Sequence, residues 1–264
     1  MKLKLFLFIL AFILISIFYI FGSEKQAVLN QSLFLLFPIF ATISGLLATK
    51  IYGLKSITGK SLLAITLAFA CLTIGEIIWF VYKNILGIDP FPSIADVFFL
   101  LGYPLILAGL YLEFKKAQIQ LHQIKKSLIA LSLSLTLVLS IIVLYFGIYL
   151  AYDPSVDLLS NIIAMSYGVV DLILIISSLF ALLMVHAYLG GKFSAFWITV
   201  TLGFLLFLVG ILFAIYNIPY TEDIKPYTYI DLIWTAGYLF LTYGMLDIYS
   251  HIRTIHQEMQ GQQS

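Results

Sequence analysis

Two carboxylates sit where a carboxylate is costly. Glu76 lies in LTIGEIIWFVYKN and Asp171 in NIIAMSYGVVDLILIISSL, both inside long apolar runs. A charge deep in a bilayer costs at least ~2.5 kcal/mol on insertion scales, so such residues usually face a partner or a cavity. Acids in that setting can hold a cation, accept hydrogen bonds from a ligand, or exchange protons. Two further aspartates come with a shared pattern: Asp96-x5-Gly-Tyr-x5-Gly recurs as Asp231-x5-Gly-Tyr-x5-Gly. Tyr103 and Tyr238 each follow their aspartate by seven residues, two turns along the same helical face. Trp79 shares the face of Glu76, Tyr167 that of Asp171, and Trp234 lies between Asp231 and Tyr238. Together Glu76, Trp79, Asp96, Tyr103, Tyr167, Asp171, Asp231, Trp234 and Tyr238 form the expected lining of an outward-facing ligand pocket. The plainer alternatives are protonated, hydrogen-bonded carboxyls that hold a bundle together, and aspartates that cap their own helices.

The elements that must position them are membrane helices. The chain has 264 residues, is 62% hydrophobic and 10% charged, and its long uncharged stretches read as spans. Backbone groups in lipid must be satisfied within the segment, which selects helices. The fold class is therefore all-α: a polytopic bundle of about eight helices, at 3–22, 32–51, 61–82, 95–114, 128–149, 158–188, 193–216 and 229–252. This bundle is one domain over 1–252, with a short tail at 253–264. The first stretch has the basic start of a signal peptide, but its length and lack of a small-x-small site predict an uncleaved span. Eleven of the fourteen Lys and Arg residues fall on one set of alternating loops, which predicts a cell-membrane protein with both termini cytoplasmic.

Asp96, Gly102, Tyr103 and Gly109 map onto Asp231, Gly237, Tyr238 and Gly244 at an offset of 135 residues. Gly75, Thr66 and Phe69 map onto Gly210, Thr201 and Phe204 at the same offset. Four spans separate the copies, so a 4+4 parallel internal repeat is expected, an arrangement known in transporters but not confined to them.

Several chemistries are set aside. No lysine lies mid-span where a retinal could attach. No His-Glu-x-x-His, Gly-x-Ser-x-Gly or Walker motif is present. His122, His186, His251 and His256 lack ligand spacing, so no metal site is expected, and no catalytic residue is assigned. The net charge of +1 implies no nucleic-acid partner. The single cysteine, Cys71, reads as small packing in an apolar run. No cofactor is indicated.

Trp79-x2-Tyr82, Pro92-Ser93-Ile94-Ala95-Asp96, Tyr103-Pro104, Tyr167-x3-Asp171 and Asp231-x2-Trp234-x3-Tyr238 together carry a resemblance. They resemble the uncharacterised multi-pass input region found upstream of many bacterial and archaeal diguanylate cyclases and sensor histidine kinases. The resemblance runs over the third to eighth predicted spans. It departs from the family at Tyr167–Asp171, which lacks a proline, and at Phe99, where the family has tyrosine. The family places a catalytic domain after the last helix; here DIYSHIRTIHQEMQGQQS follows instead. Ile248, Ile252, Ile255 and Met259 keep one apolar face, like the first turns of a signalling coiled coil. The resemblance thus implies a non-enzymatic sensor, embedded in the lipid bilayer, that works through a cytoplasmic kinase or cyclase, or as a homodimer. A small-solute or ion transporter is the alternative, and a membrane enzyme acting on lipid a third reading.

Overall fold

The computed structural model describes residues 13, 27–117, 126–188, 191, 193–217 and 226–261. The predicted first span lies outside them except for Ile13, which is helical. Among the described residues every regular element is a helix. The helices are α1 (Ala27–Tyr52), α2 (Ile57–Phe80), α3 (Ile94–Ala117), α4 (Lys126–Val143), α5 (Leu158–Tyr188), α6 (Ser194–Asn217) and α7 (Pro226–Gly261). α2 and α4 each end in a π-helical turn, Val81–Leu86 and Leu144–Tyr149. Six helical segments among the described residues are long and apolar enough to cross a bilayer; they lie in α1 to α6. The protein is a multi-pass helical membrane protein.

Local chemistry sets the helix starts. Ser56 caps α2 by accepting from the Gly59 N–H at 2.9 Å. At α3, Ser93 Oγ accepts from the Ala95 N–H at 3.1 Å, while Asp96 Oδ2 reaches back to the Ser93 N–H at 2.6 Å. That is a capping box with aspartate in the usual glutamate place. Asp157 opens α5 by accepting from the Leu159 and Ser160 N–H groups and the Ser160 hydroxyl. Gly87, at φ 65°, ends the π turn of α2, a conformation that costs glycine little. The Phe91–Pro92 peptide leading into α3 is cis. Pro104 lies inside α3, and the helix runs on through it to Ala117.

The helices close a ring. α1 packs on α2 and α7, α2 on α3, α3 on α5, α5 on α6, and α6 on α7. α4 stands outside this ring against α5. Its span is only 11% buried, and Leu131, Leu137 and Ile141 point outward. Lipid supplies little hydrophobic force between helices, so close packing and hydroxyl bonds must hold them. Thr42 meets Thr73 at 2.9 Å and Thr49 meets Thr66 at 3.2 Å between α1 and α2. The Ser61 hydroxyl donates to the Gly109 carbonyl at 2.7 Å. A Cβ on Gly109 would fall 2.8 Å from the Ser61 carbonyl oxygen, so only glycine allows α2 and α3 to approach this closely.

The α2–α3 and α6–α7 pairs meet through matching positions. Gly75 lies against the Phe99 ring and Gly210 against the Trp234 ring. Gly102 faces the Ala68 carbonyl and Gly237 the Gly203 carbonyl; Gly109 faces that of Ser61 and Gly244 that of Phe196. In each pair the two contacts are 135 residues apart at both partners, the offset of Asp96 and Asp231.

Candidate functional site

The ring gathers most of the expected residues into its interior. Glu76 comes from α2, Asp96 and Tyr103 from α3, Tyr167 and Asp171 from α5, and Asp231 and Tyr238 from α7. Glu76 stands within electrostatic reach of Asp231, Tyr103, Tyr167 and Tyr238. Tyr103 is also within reach of Asp171 and Tyr167. The seven side chains thus form one acid–tyrosine cluster spanning four helices.

Their bonding differs sharply. Asp96 is 1% exposed and satisfied twice: Oδ2 takes the Ser93 N–H, and Oδ1 takes the Tyr167 hydroxyl at 2.5 Å. It is therefore both a cap and a tie between α3 and α5. Asp171 is 3% exposed, and Glu76 and Asp231 are half-buried. Among the described residues no group donates a hydrogen bond to any of these three. Buried charge without donors or counter-charge is strongly unfavourable. Lys83, seven residues along the helix from Glu76 and exposed at the end of the bundle, acts on Asp231.

The two tryptophans take other places. Trp79 packs edge-on against Phe99 with ring centroids 6.4 Å apart, in the α2–α3 contact. Trp234 fills the α6–α7 contact against Gly210, with its indole N–H buried and without a partner among the described residues. Tyr238, 2% exposed, stands between Phe207 at 4.8 Å and Phe34 at 6.1 Å, both edge-on.

Further polar groups lie here, of which sequence reasoning placed Ser178 on the polar face of Asp171 and passed over Thr235 and Glu113. Thr235, one turn along from Asp231, is fully buried and its hydroxyl has no partner among the described residues. Ser178, two turns from Asp171, is likewise buried with an unpartnered hydroxyl. Spacing from the aspartates was a usable signal for both. At the other end of the bundle Glu113 is 3% exposed, takes the Thr58 hydroxyl at 3.2 Å and pairs with Lys116 at 3.1 Å. Lys116 also donates to Thr58. A carboxylate three residues before a lysine reads as a surface pair in sequence; only its partner on α2 reveals that it is buried.

The acids in the connecting segment before α5 behave oppositely. The Ser160 hydroxyl and N–H hold Asp157 below the ordinary carboxyl range, and those of Ser155 do the same for Asp153. Both stay ionised through the physiological range, and neither belongs to the cluster. Among the described residues no three Asp, Glu, His or Cys side chains come close enough to share a metal ion. Compared with protein-family models, curated proteins and solved structures, the chain matches none.

Proposed function

We propose that this chain is a signal-input protein of eight spans, with both ends in the cytoplasm. It binds a small ligand in an outward-facing pocket built on the acid–tyrosine cluster and passes occupancy to a cytoplasmic partner. The observation that carries this reading is that Glu76 and Asp231 reach each other from two helices and Asp171 joins them through Tyr103, with no hydrogen-bond donor to any of the three among the described residues. Such a cluster is stable only if something brings positive charge, donors or protons to it. The helix that carries Asp231 and Tyr238 runs unbroken for 36 residues, ~54 Å, to Gly261. A shift at its acid end therefore moves the far end directly. The likeness to the input regions of cyclases and histidine kinases points the same way, with a kinase or cyclase as partner.

The reading includes two parallel four-span copies. Its support is the matched glycine contacts of α2–α3 and α6–α7 and the symmetry of the ring. α1 sits between α2 and α7 as α5 sits between α6 and α3. A pseudo-two-fold axis along the membrane normal relates such copies, and the cluster lies where that axis would pass. Parallel repeats also serve transporters, which is the ground for the alternative of solute or ion transport.

Spin labels on α3 and α7 test the coupling, at Lys115→Cys and Gln257→Cys in a Cys71→Ser background. Asp171→Asn keeps the side-chain shape and removes its charge. It should shift the label separation by about 2 Å, the scale of interfacial helix movements. Identical distance distributions would overturn the coupling. Saturable uptake of a labelled solute into proteoliposomes would replace sensing by transport.

A further inference from the structure

The two aspartates related by the repeat are not equivalent in their bonding, and the difference has a local cause. Asp96 is served by the hydroxyl of Tyr167, whose ring neighbours Tyr103. In the other half the rings beside Tyr238 are Phe207 of α6 at 4.8 Å and Phe34 of α1 at 6.1 Å. At the repeat offset Tyr167 corresponds to Ser32 of α1, whose hydroxyl donates to the Val28 carbonyl at 2.7 Å instead. Asp231 is left with no donor among the described residues, Glu76 across the ring, and Lys83 at the mouth. One turn along α7 the Thr235 hydroxyl is fully buried and also without a partner. Asp231, Thr235 and Tyr238 follow i, i+4, i+7 spacing and share one face of α7. That face carries two side chains that reach Glu76.

We propose that Asp231, Glu76 and Thr235 together seat the ammonium group of a primary amine. An ammonium brings three donors on one positive centre. Two carboxylates and one hydroxyl oxygen match that number, and the ammonium offsets one of the two negative charges. The acids are spaced too widely for three of them to share a metal ion, which favours a polyatomic cation. The aromatic rings of Tyr238 and Phe34 beside the site suit the apolar remainder of an amine. The amine can arrive as a free solute or as a lipid headgroup, since both present the same group. This inference rests on the ligand-pocket reading above and adds the chemical class of the ligand.

The test uses the full chain in nanodiscs of phosphatidylcholine, which offers no primary amine. Butylamine is titrated against butanol, with tryptophan fluorescence as the readout because Trp234 is three residues from Asp231. The wild type should show a saturable change with butylamine and none with butanol. Thr235→Val removes the hydroxyl acceptor while keeping the side-chain shape, and should weaken butylamine binding tenfold or more while Tm holds. Asp231→Asn should weaken it by at least as much. If phosphatidylethanolamine discs give the change before any butylamine is added, the headgroup is the natural source and the amine site stands. Equal responses to butylamine and butanol, or wild-type binding in a folded Thr235→Val variant, would overturn the proposal. If amines fail while Asp171→Asn still moves the spin labels, only the ligand class falls. If Asp171→Asn moves nothing, the ligand-pocket reading falls with it.

Discussion

At the scale of single residues, the site is defined by which carboxylates have donors. Asp96 has two, and its burial at 1% exposure makes both matter. Tyr167→Phe removes one of them and leaves a carboxylate oxygen unsatisfied inside the bundle. Such a loss costs about 1–3 kcal/mol, so the variant should unfold at lower temperature in detergent micelles. An unchanged Tm would mean that the tyrosine–aspartate tie carries no stability. Asp96 and Asp231 have the same sequence surroundings, Asp-x5-Gly-Tyr-x5-Gly, and that pattern was visible in the chain. Their different bonding was not, because it depends on Tyr167, which comes from another helix.

At the scale of elements, the helices touch through glycines and hydroxyls, since apolar surface gains little by leaving lipid. Gly109 and Gly244 occupy matching places, yet their neighbours differ. A Cβ at Gly109 meets the backbone carbonyl of Ser61 at 2.8 Å, and that carbonyl cannot rotate away. A Cβ at Gly244 first meets the Thr199 hydroxyl at 2.6 Å, which a change of rotamer can remove. Gly109→Ala should therefore destabilise the bundle by about 1–3 kcal/mol, as overpacking does. Gly244→Ala should cost less, because better helix propensity offsets part of its strain. Thermal unfolding of the two variants side by side checks the order, and the reverse order would mean that the pairs are not packed alike. The seven-residue glycine spacing was legible as a packing face from sequence. Which of the two faces tolerates a methyl group was not.

At the scale of the whole molecule, the ring of α1, α2, α3, α5, α6 and α7 encloses the acids, and α4 lies outside it. α7 is the least apolar of these helices in its full length, because it continues into a charged end. If it crosses the bilayer like α5 and α6, three crossings separate the Asp153–Asp157 segment from the C-terminus. Reporter fusions in that segment and after Ser264 should then lie on opposite sides of the membrane, with the C-terminal one in the cytoplasm. Reporters on the same side would remove α7 as a span and the two-copy arrangement with it.

The amino-acid sequence by itself determined that this is a multi-pass helical membrane protein, since length, apolarity and backbone satisfaction in lipid leave no other element. It also singled out Glu76, Asp96, Asp171 and Asp231, because a carboxylate in an apolar run is conspicuous whatever surrounds it. It placed Trp79 and Trp234 with them, and in the tertiary structure both rings lie at helix–helix contacts. Only the tertiary structure decided which acids meet and which have donors. Helical spacing places a side chain on a face of its own helix. It does not say which helix that face will meet, and in this ring each residue's partner comes from a segment dozens of positions away.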